Sequence, residues 1–179
     1  MNQTVILCCG VSGAGKSTWS TEYLKKTPNT VRINRDDIRK MLFGTLEDYY
    51  SRKDLSYREG VVSEVEELLF VHALVKKQNI IVDNTNLKTT YVRKWTDFVL
   101  GWNKNILEDE KPYEVKFAIF SQRDVDTLIA RVEKRDNLSL ADKKDNYIQK
   151  QYDSFWKIQD WILNTYPNDV IFHEIKNGN

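Results

Sequence analysis

Val5-Ile6-Leu7-Cys8-Cys9 runs without a polar residue into Gly10-Val11-Ser12-Gly13-Ala14-Gly15-Lys16-Ser17. A short apolar run ended by glycine reads as a buried strand. The segment after it fits G-x-x-x-x-G-K-[ST] in full, and a helix is expected from Lys16 to about Lys26, broken by Pro28-Asn29. The glycines let the backbone curl so that successive N–H groups converge on one point. The helix N-terminus adds positive potential there. A strand, loop and helix of this kind form a phosphate-binding loop. They demand an α/β domain with a mainly parallel sheet, and they point to a nucleoside triphosphate. The expected donor-binding residues are Gly10, Ser12, Gly13, Ala14, Gly15, Lys16, Ser17 and Thr18. Lys16 would reach the β- and γ-phosphates, and the Ser17 hydroxyl would ligate Mg²⁺. No Asn-Lys-x-Asp segment follows a strand to read guanine, since Lys134-Arg135-Asp136 falls at a helix end. ATP is therefore the expected donor.

The rest of the pattern alternates strands with helices. Strands are expected at Thr30 to Asn34, Ile80 to Asp83, Glu114 to Phe120 and Val170 to Ile175. Helices are expected at about Asp36 to Phe43, 56–78, 88–102, Asp124 to Lys134 and Lys144 to Leu163. Gly44 is a natural helix stop. Residues 45–54 read as a polar, aromatic connection. In the long helix 56–78, Val61, Val65, Leu68, Leu69, His72 and Val75 share one face, which is expected to point into the core. Trp95, Trp102, Trp156 and Trp161 are expected in the core too. The expected architecture is a five-stranded sheet flanked by helices, with a helical lid at about 131–143. With 179 residues, 41% hydrophobic and 30% charged, a single domain over 1–179 accounts for the whole chain. No apolar run approaches the roughly 20 residues that span a bilayer, and the N-terminus lacks a basic signal region. A soluble, cytoplasmic protein is expected. Cys8 and Cys9 are adjacent and read as buried strand residues rather than a disulfide or metal pair.

Asn34-Arg35-Asp36-Asp37 stands at the end of the second expected strand, where open α/β sheets place ligands. Asp36 is the candidate base for an acceptor hydroxyl. In a loose phosphoryl-transfer transition state the proton can leave late. Arg39, one turn on, could hold an acceptor phosphate or carboxylate bidentately. Asn34, Asp36 or Asp37 could equally cap the helix, and the two roles are compatible. Arg131 and Arg135, four apart on a helix, present one face. They fit a lid that closes on the donor phosphates, or two solvated arginines. Tyr49, Tyr50 and Tyr57, with Arg52, Lys53 and Arg58, could carry a nucleic-acid strand or form a tyrosine-rich surface and partial core. The net charge of +1 excludes a strong whole-protein field for nucleic acid, so such a partner would be held by local basic residues.

Gly13-Ala14-Gly15-Lys16-Ser17-Thr18-Trp19, Ile33-Asn34-Arg35-Asp36-Asp37 and Thr85-Asn86-Leu87 together resemble the kinase domain of phage-type polynucleotide kinases. The resemblance runs from residue 4 to about 165. It implies transfer of the γ-phosphate of ATP to the 5′-hydroxyl end of DNA or RNA, with Mg²⁺. It also implies that Asp36 is the general base, that Arg39 contacts the acceptor phosphate, and that Lys134-Arg135 carries a lid arginine that clamps the donor. Lys16, Asp36 and Arg135 are the catalytic candidates. Asn34, Arg39, Asn84 and Thr85 are the acceptor-side candidates. The family's carboxylate just before T-N-L is Asn84 here, with the acid one place earlier at Asp83. A one-residue shift in a strand reverses the facing. Asp83 could instead act on Mg²⁺ together with Ser17, or cap a turn. The phage enzyme's phosphatase domain has no counterpart, as D-x-D-G-T is absent. A small-molecule or modified-base kinase, and an ATP-hydrolysing switch, are the alternative readings.

Overall fold

The computed structural model describes residues 3–120, 124–134 and 146–173. Strand β1 (Thr4–Cys9) is followed by helix α1 (Lys16–Lys26), β2 (Thr30–Ile33), α2 (Arg35–Phe43), α3 (Leu46–Ser51) and α4 (Leu55–Val75). Then come β3 (Asn79–Val82), α5 (Thr89–Asn103), β4 (Glu114–Phe120), α6 (Val125–Glu133), α7 (Tyr147–Thr165) and β5 (Val170–His173). The sheet order is β2-β3-β1-β4-β5, and all four pairings are parallel. The expected α/β fold with five strands is present. The apolar run predicted this centre: Val5 to Cys9 are all buried because β1 is flanked by strands on both edges and covered on both faces.

The chain leaves β1 for one side of the sheet to form β2 and β3, then crosses to the other side for β4 and β5. The order therefore reverses at β1, and the crevice at its carboxyl end is the position where such sheets hold ligands. Register fixes which side chains face it. Arg32, Ile81, Ile6 and Lys116 are aligned across four strands and so share one face. Helix α1 covers this face, with Ser20 against Arg32. Helix α4 lies against β2 and β3, with α2 packed on it.

Several elements differ from the sequence reading. Residues 45–54 contain helix α3, because Thr45 accepts the Asp48 N–H at 3.1 Å and caps it. Tyr49 is fully buried against Phe43 and Tyr50. The inward face of α4 is Val62, Glu66, Phe70, Ala73 and Leu74, not the expected stripe. His72 is exposed rather than in the core, and Leu68 is 69% exposed. A helix apolar on two sides can turn either one inward, and sequence periodicity does not choose between them. Trp95 is buried as expected, Trp102 and Trp161 only partly. Trp156 is exposed and packs edge-on against Tyr152 and Phe155. Most of the expected lid, including Arg135, lies outside the described residues, as do the last residues of the expected fifth strand.

Candidate active site

The phosphate loop takes the shape its glycines allow. Gly13 and Gly15 have φ of 86° and 96°, which an L side chain rarely adopts. A Cβ on Gly13 would also meet the Leu128 carbonyl at 3.0 Å. The Gly10 N–H donates to the Thr85 carbonyl at 3.1 Å, which ties the loop to the turn after β3. Asn86, itself at φ 47°, reinforces this tie by donating to the Cys8 carbonyl at 2.9 Å. Lys16 is buried, with Nζ donating to the Val11 carbonyl at 2.9 Å. Ser12 N–H donates to Gln151 of α7 at 2.8 Å, and Arg131 of α6 donates to the Gly13 carbonyl at 3.3 Å. Arg131 is thus beside the loop, as expected of a donor-side residue. Thr18 is exposed on α1.

Lys16 and Ser17 open into a cavity of about 690 Å³. Asn34, Asp36, Arg39, Asp83, Asn84 and Thr85 line the same cavity. The structure therefore brings the expected donor and acceptor residues to one space. Asn34 caps α2 by accepting from the Asp37 N–H at 3.1 Å, and its amide also donates to the Asp83 carbonyl. That cap fixes the first turn, and the turn sets where Asp36 and Arg39 point. Asp36 is half-exposed and accepts from Arg39 Nη1 at 2.7 Å.

Asp83 and Asn84 diverge as strand geometry requires. Asp83 is buried on the α1 side, where Oδ2 accepts from Ser20 Oγ at 2.9 Å and from Arg32 Nε at 2.7 Å. Arg32 also pairs with Asp37. Oδ1 of Asp83 is buried with no hydrogen-bond partner among the described residues. Asn84 points to the acceptor side. It accepts from the Arg35 N–H at 3.0 Å and donates to Glu66 at 2.6 Å.

Glu66 and Glu59 are the residues the sequence reading missed. Both come from α4. Glu66 is buried and accepts from Arg35 Nη1 at 2.8 Å. Glu59 accepts from Arg35 Nη2 at 2.7 Å, and from Arg39 through Nε at 3.0 Å and Nη2 at 2.8 Å. Arg39 also lies against the rings of Tyr49 and Tyr50, 5.5 and 5.7 Å from their centroids. Burial works against the charge on Arg39, but Tyr50, Asp36 and Glu59 more than offset it and hold its pKa above the ordinary arginine range. Burial also opposes the charge on Glu59, yet the bond from Arg35 and the field of Arg39 leave its pKa below the usual 4.5. A signal was present in the sequence: Glu59, Ser63 and Glu66 recur at i, i+4, i+7 on one side of the helix, next to Val62 and Phe70.

Neither cysteine belongs to the site. Both are free and buried, and burial pushes the Cys9 thiol up to about 12 and the Cys8 thiol up likewise. No group of three His, Cys, Asp or Glu side chains able to hold a metal exists among the described residues. No helix among them is long and apolar enough to cross a membrane.

The sequence matches the family model of the AAA domain over residues 5–155. The chain belongs to that family. A protein of Autographa californica nuclear polyhedrosis virus, named as a bifunctional polynucleotide kinase/RNA ligase, is 31% identical over 113 residues, covering 59% of this chain and 16% of that protein. A solved structure of the Pnkp1/Rnl/Hen1 RNA repair complex contains a chain that superposes with a TM-score of 0.66 at 22% identity. It covers 89% of this chain and 46% of its own. The PezAT chromosomal toxin-antitoxin system of Streptococcus pneumoniae superposes with a TM-score of 0.65 at 19% identity, covering 99% of this chain and 70% of that one. This chain thus spans less than half of the viral relative and of the repair-complex chain. The AAA-domain chain has a P-loop kinase fold, and its polynucleotide-kinase-like character, read from the motifs, agrees with the viral relative.

Proposed function

We propose that this chain is an ATP-dependent kinase that transfers the γ-phosphate to the 5′-hydroxyl end of DNA or RNA. The observation that carries the reading is the common cavity: Asp36 and Arg39 line it together with Lys16 and Ser17. A donor phosphate on the loop and an acceptor hydroxyl at Asp36 would then meet in one space. The loop N–H groups and Lys16 hold the triphosphate. Asp36 orients the acceptor hydroxyl and accepts its proton as the oxygen acidifies. Arg39, held by Glu59 and bonded through Nη1 to Asp36, would contact the acceptor phosphate from beside the base, and Arg131 adds charge beside the loop. Arg135 keeps its lid role in this proposal by resemblance alone. Asn34 and Asn84 act through the backbone of α2, and Thr85 through its carbonyl on Gly10.

The residues present fit a magnesium ion. Ser17 and the unpartnered Oδ1 of Asp83 offer hard oxygen donors on the same cavity. When bound, the ion neutralises charge developing on the β- and γ-oxygens. A nucleic-acid acceptor and the single-domain reading belong to the same proposal. A small-molecule hydroxyl acceptor is the second reading. It is favoured by the net charge of +1, which gives no long-range attraction for a polyanion.

The test is transfer of labelled γ-phosphate to a short 5′-hydroxyl oligonucleotide, DNA and RNA side by side, with the 5′-phosphorylated strand as control. Label on the 5′-hydroxyl strand alone is expected. Label on both strands would indicate an internal hydroxyl or a modified base. ATP turnover without label would favour a small-molecule acceptor or an ATP-hydrolysing switch.

A further inference from the structure

The two oxygens of the buried Asp83 carboxylate are treated unequally. Oδ2 accepts from Ser20 Oγ at 2.9 Å, from Arg32 Nε at 2.7 Å and from Arg32 Nη2 at 2.6 Å. Oδ1 accepts no bond among the described residues. A buried polar atom left without a partner costs free energy, so a fold that keeps one calls for an explanation. An arginine that pairs with a carboxylate commonly places one N–H on each oxygen. Arg32 instead directs two to the same oxygen, and its Nη1 goes to Asp37.

The surroundings show how this is held. Arg32 lies on β2, and Asp83 stands just past the end of the neighbouring β3, where its N–H donates to the Ile33 carbonyl at 2.9 Å. Ser20 comes from α1, three residues after Ser17, and is fully buried. It also accepts from Arg32 Nε at 2.9 Å, so Ser20, Arg32 and Asp83 close a triangle of hydrogen bonds. Asp83 and Ser17 line the cavity, whereas Arg32 and Ser20 stand behind its wall. The terminal torsion of an aspartate is broad and roughly two-fold, so an unheld carboxylate exchanges its oxygens. Three bonds on Oδ2 prevent that exchange, and the oxygen they leave over belongs to a residue of the cavity wall.

We infer that Arg32 is a positioning residue for the divalent ion: together with Ser20 it holds Oδ2, and so keeps Oδ1 fixed and unbonded for an ion bound with the nucleotide. The inference rests on the magnesium reading above and adds the residues that make Asp83 serve it. Groups that hydrogen-bond a ligating carboxylate commonly change metal affinity by roughly 10–100-fold when altered.

The experiment is equilibrium binding of a non-hydrolysable ATP analogue to the full chain, first with EDTA and then with saturating Mg²⁺. The readout is the factor by which Mg²⁺ tightens binding. Arg32→Lys keeps the charge but loses the planar fork. It should cut that factor about tenfold and leave the affinity in EDTA unchanged. Ser20→Ala removes one of the three bonds and should cut it roughly threefold. Asp37→Asn alters the Nη1 partner alone and should leave it as in the wild type. A misfolded variant would lose binding in both conditions, so a loss confined to Mg²⁺ is no folding defect. If Arg32→Lys binds in neither condition, Ser20→Ala decides, and a wild-type factor there overturns the inference. Asp83→Asn separates this inference from the reading beneath it. If Asp83→Asn leaves the factor unchanged, both fall. If Asp83→Asn lowers it and Arg32→Lys does not, the role of Arg32 alone falls. Equal losses in Asp37→Asn and Arg32→Lys also overturn that role, because loosening of α2 would then be the cause.

Discussion

The two walls of the cavity are built in opposite ways. On the donor side, one short run of sequence, Gly10 to Ser17, supplies both the backbone shape and the charged side chain. On the acceptor side, Asp36 and Arg39 come from α2, the tyrosines beside Arg39 from α3, the carboxylate of Glu59 that holds it from α4, and Asn84 from the turn after β3. The donor wall depends on glycine conformations, and the acceptor wall on a network of ion pairs. The first should therefore tolerate distant substitutions well. The second should fail through residues that never touch the reacting atoms.

The sharpest division between the walls is expected from Asp36→Asn. Loss of the base should lower the transfer rate by roughly 10²–10⁴, or about 3–5 kcal/mol of barrier, with ATP affinity unchanged. Single-turnover kinetics beside equilibrium ATP binding measures both. A rate within tenfold of wild type would remove Asp36 from the role of base.

Glu66→Gln probes the network's buried end. It leaves Arg35 Nη1 facing a neutral amide while Nη2 keeps Glu59, and the loss of a hydrogen bond between charged groups costs about 1.5–3 kcal/mol. A fall in Tm of roughly 3–12 °C follows for a chain of this size, and scanning calorimetry reads it. A change under about 2 °C would mean the pair is already well solvated.

Glu59→Gln should act more gently. Arg39 keeps its place between Tyr49 and Tyr50 but loses the carboxylate that orients its Nε and Nη2. The acceptor KM should rise about tenfold, for a charged hydrogen bond worth about 1.5 kcal/mol or more, while the ATP KM stays put. A matching rise for ATP would join the two walls and break the contrast between them.

Acid provides the smallest effect. The folded-state pKa of Glu59 lies below its usual 4.5. Its contribution to stability is therefore complete above that value and is lost as the pH falls through the lower folded one. Tm should decline as the pH falls below the usual 4.5, and the decline should be shallower in Glu59→Gln. Identical slopes in the two proteins would exclude Glu59 as its source.

The donor wall was legible because local geometry and chemistry share one segment. Strand, loop and helix each follow from residues within a few positions. The same holds for Asn34, whose capping role and closeness to Asp36 are both short-range facts. Asp83 and Asn84 were half legible: alternation in a strand required them to face apart, yet their partners Ser20, Arg32, Arg35 and Glu66 are distant in sequence. Glu59 and Glu66 left only a helical i, i+7 spacing among the other polar residues of α4. The expected core face of α4 failed for a related reason. Both sides of that helix are apolar, so periodicity offered two answers of similar weight.

The sequence by itself determined the loop, the parallel sheet around a buried β1, and the placing of Asp36 and Arg39 one turn apart at a strand's carboxyl end. These rest on steric limits at glycine, on the 3.6-residue turn and on strand alternation, all of which act over a few residues. Only the tertiary structure decided which side of α4 faces inward, and with it that Glu59 holds Arg39 and Glu66 holds Arg35. That choice belongs to packing: the side bearing Phe70 and Leu74 meets Trp95, while Glu66 meets Arg35. A buried charge and its partner must arrive together, because neither is stable there alone.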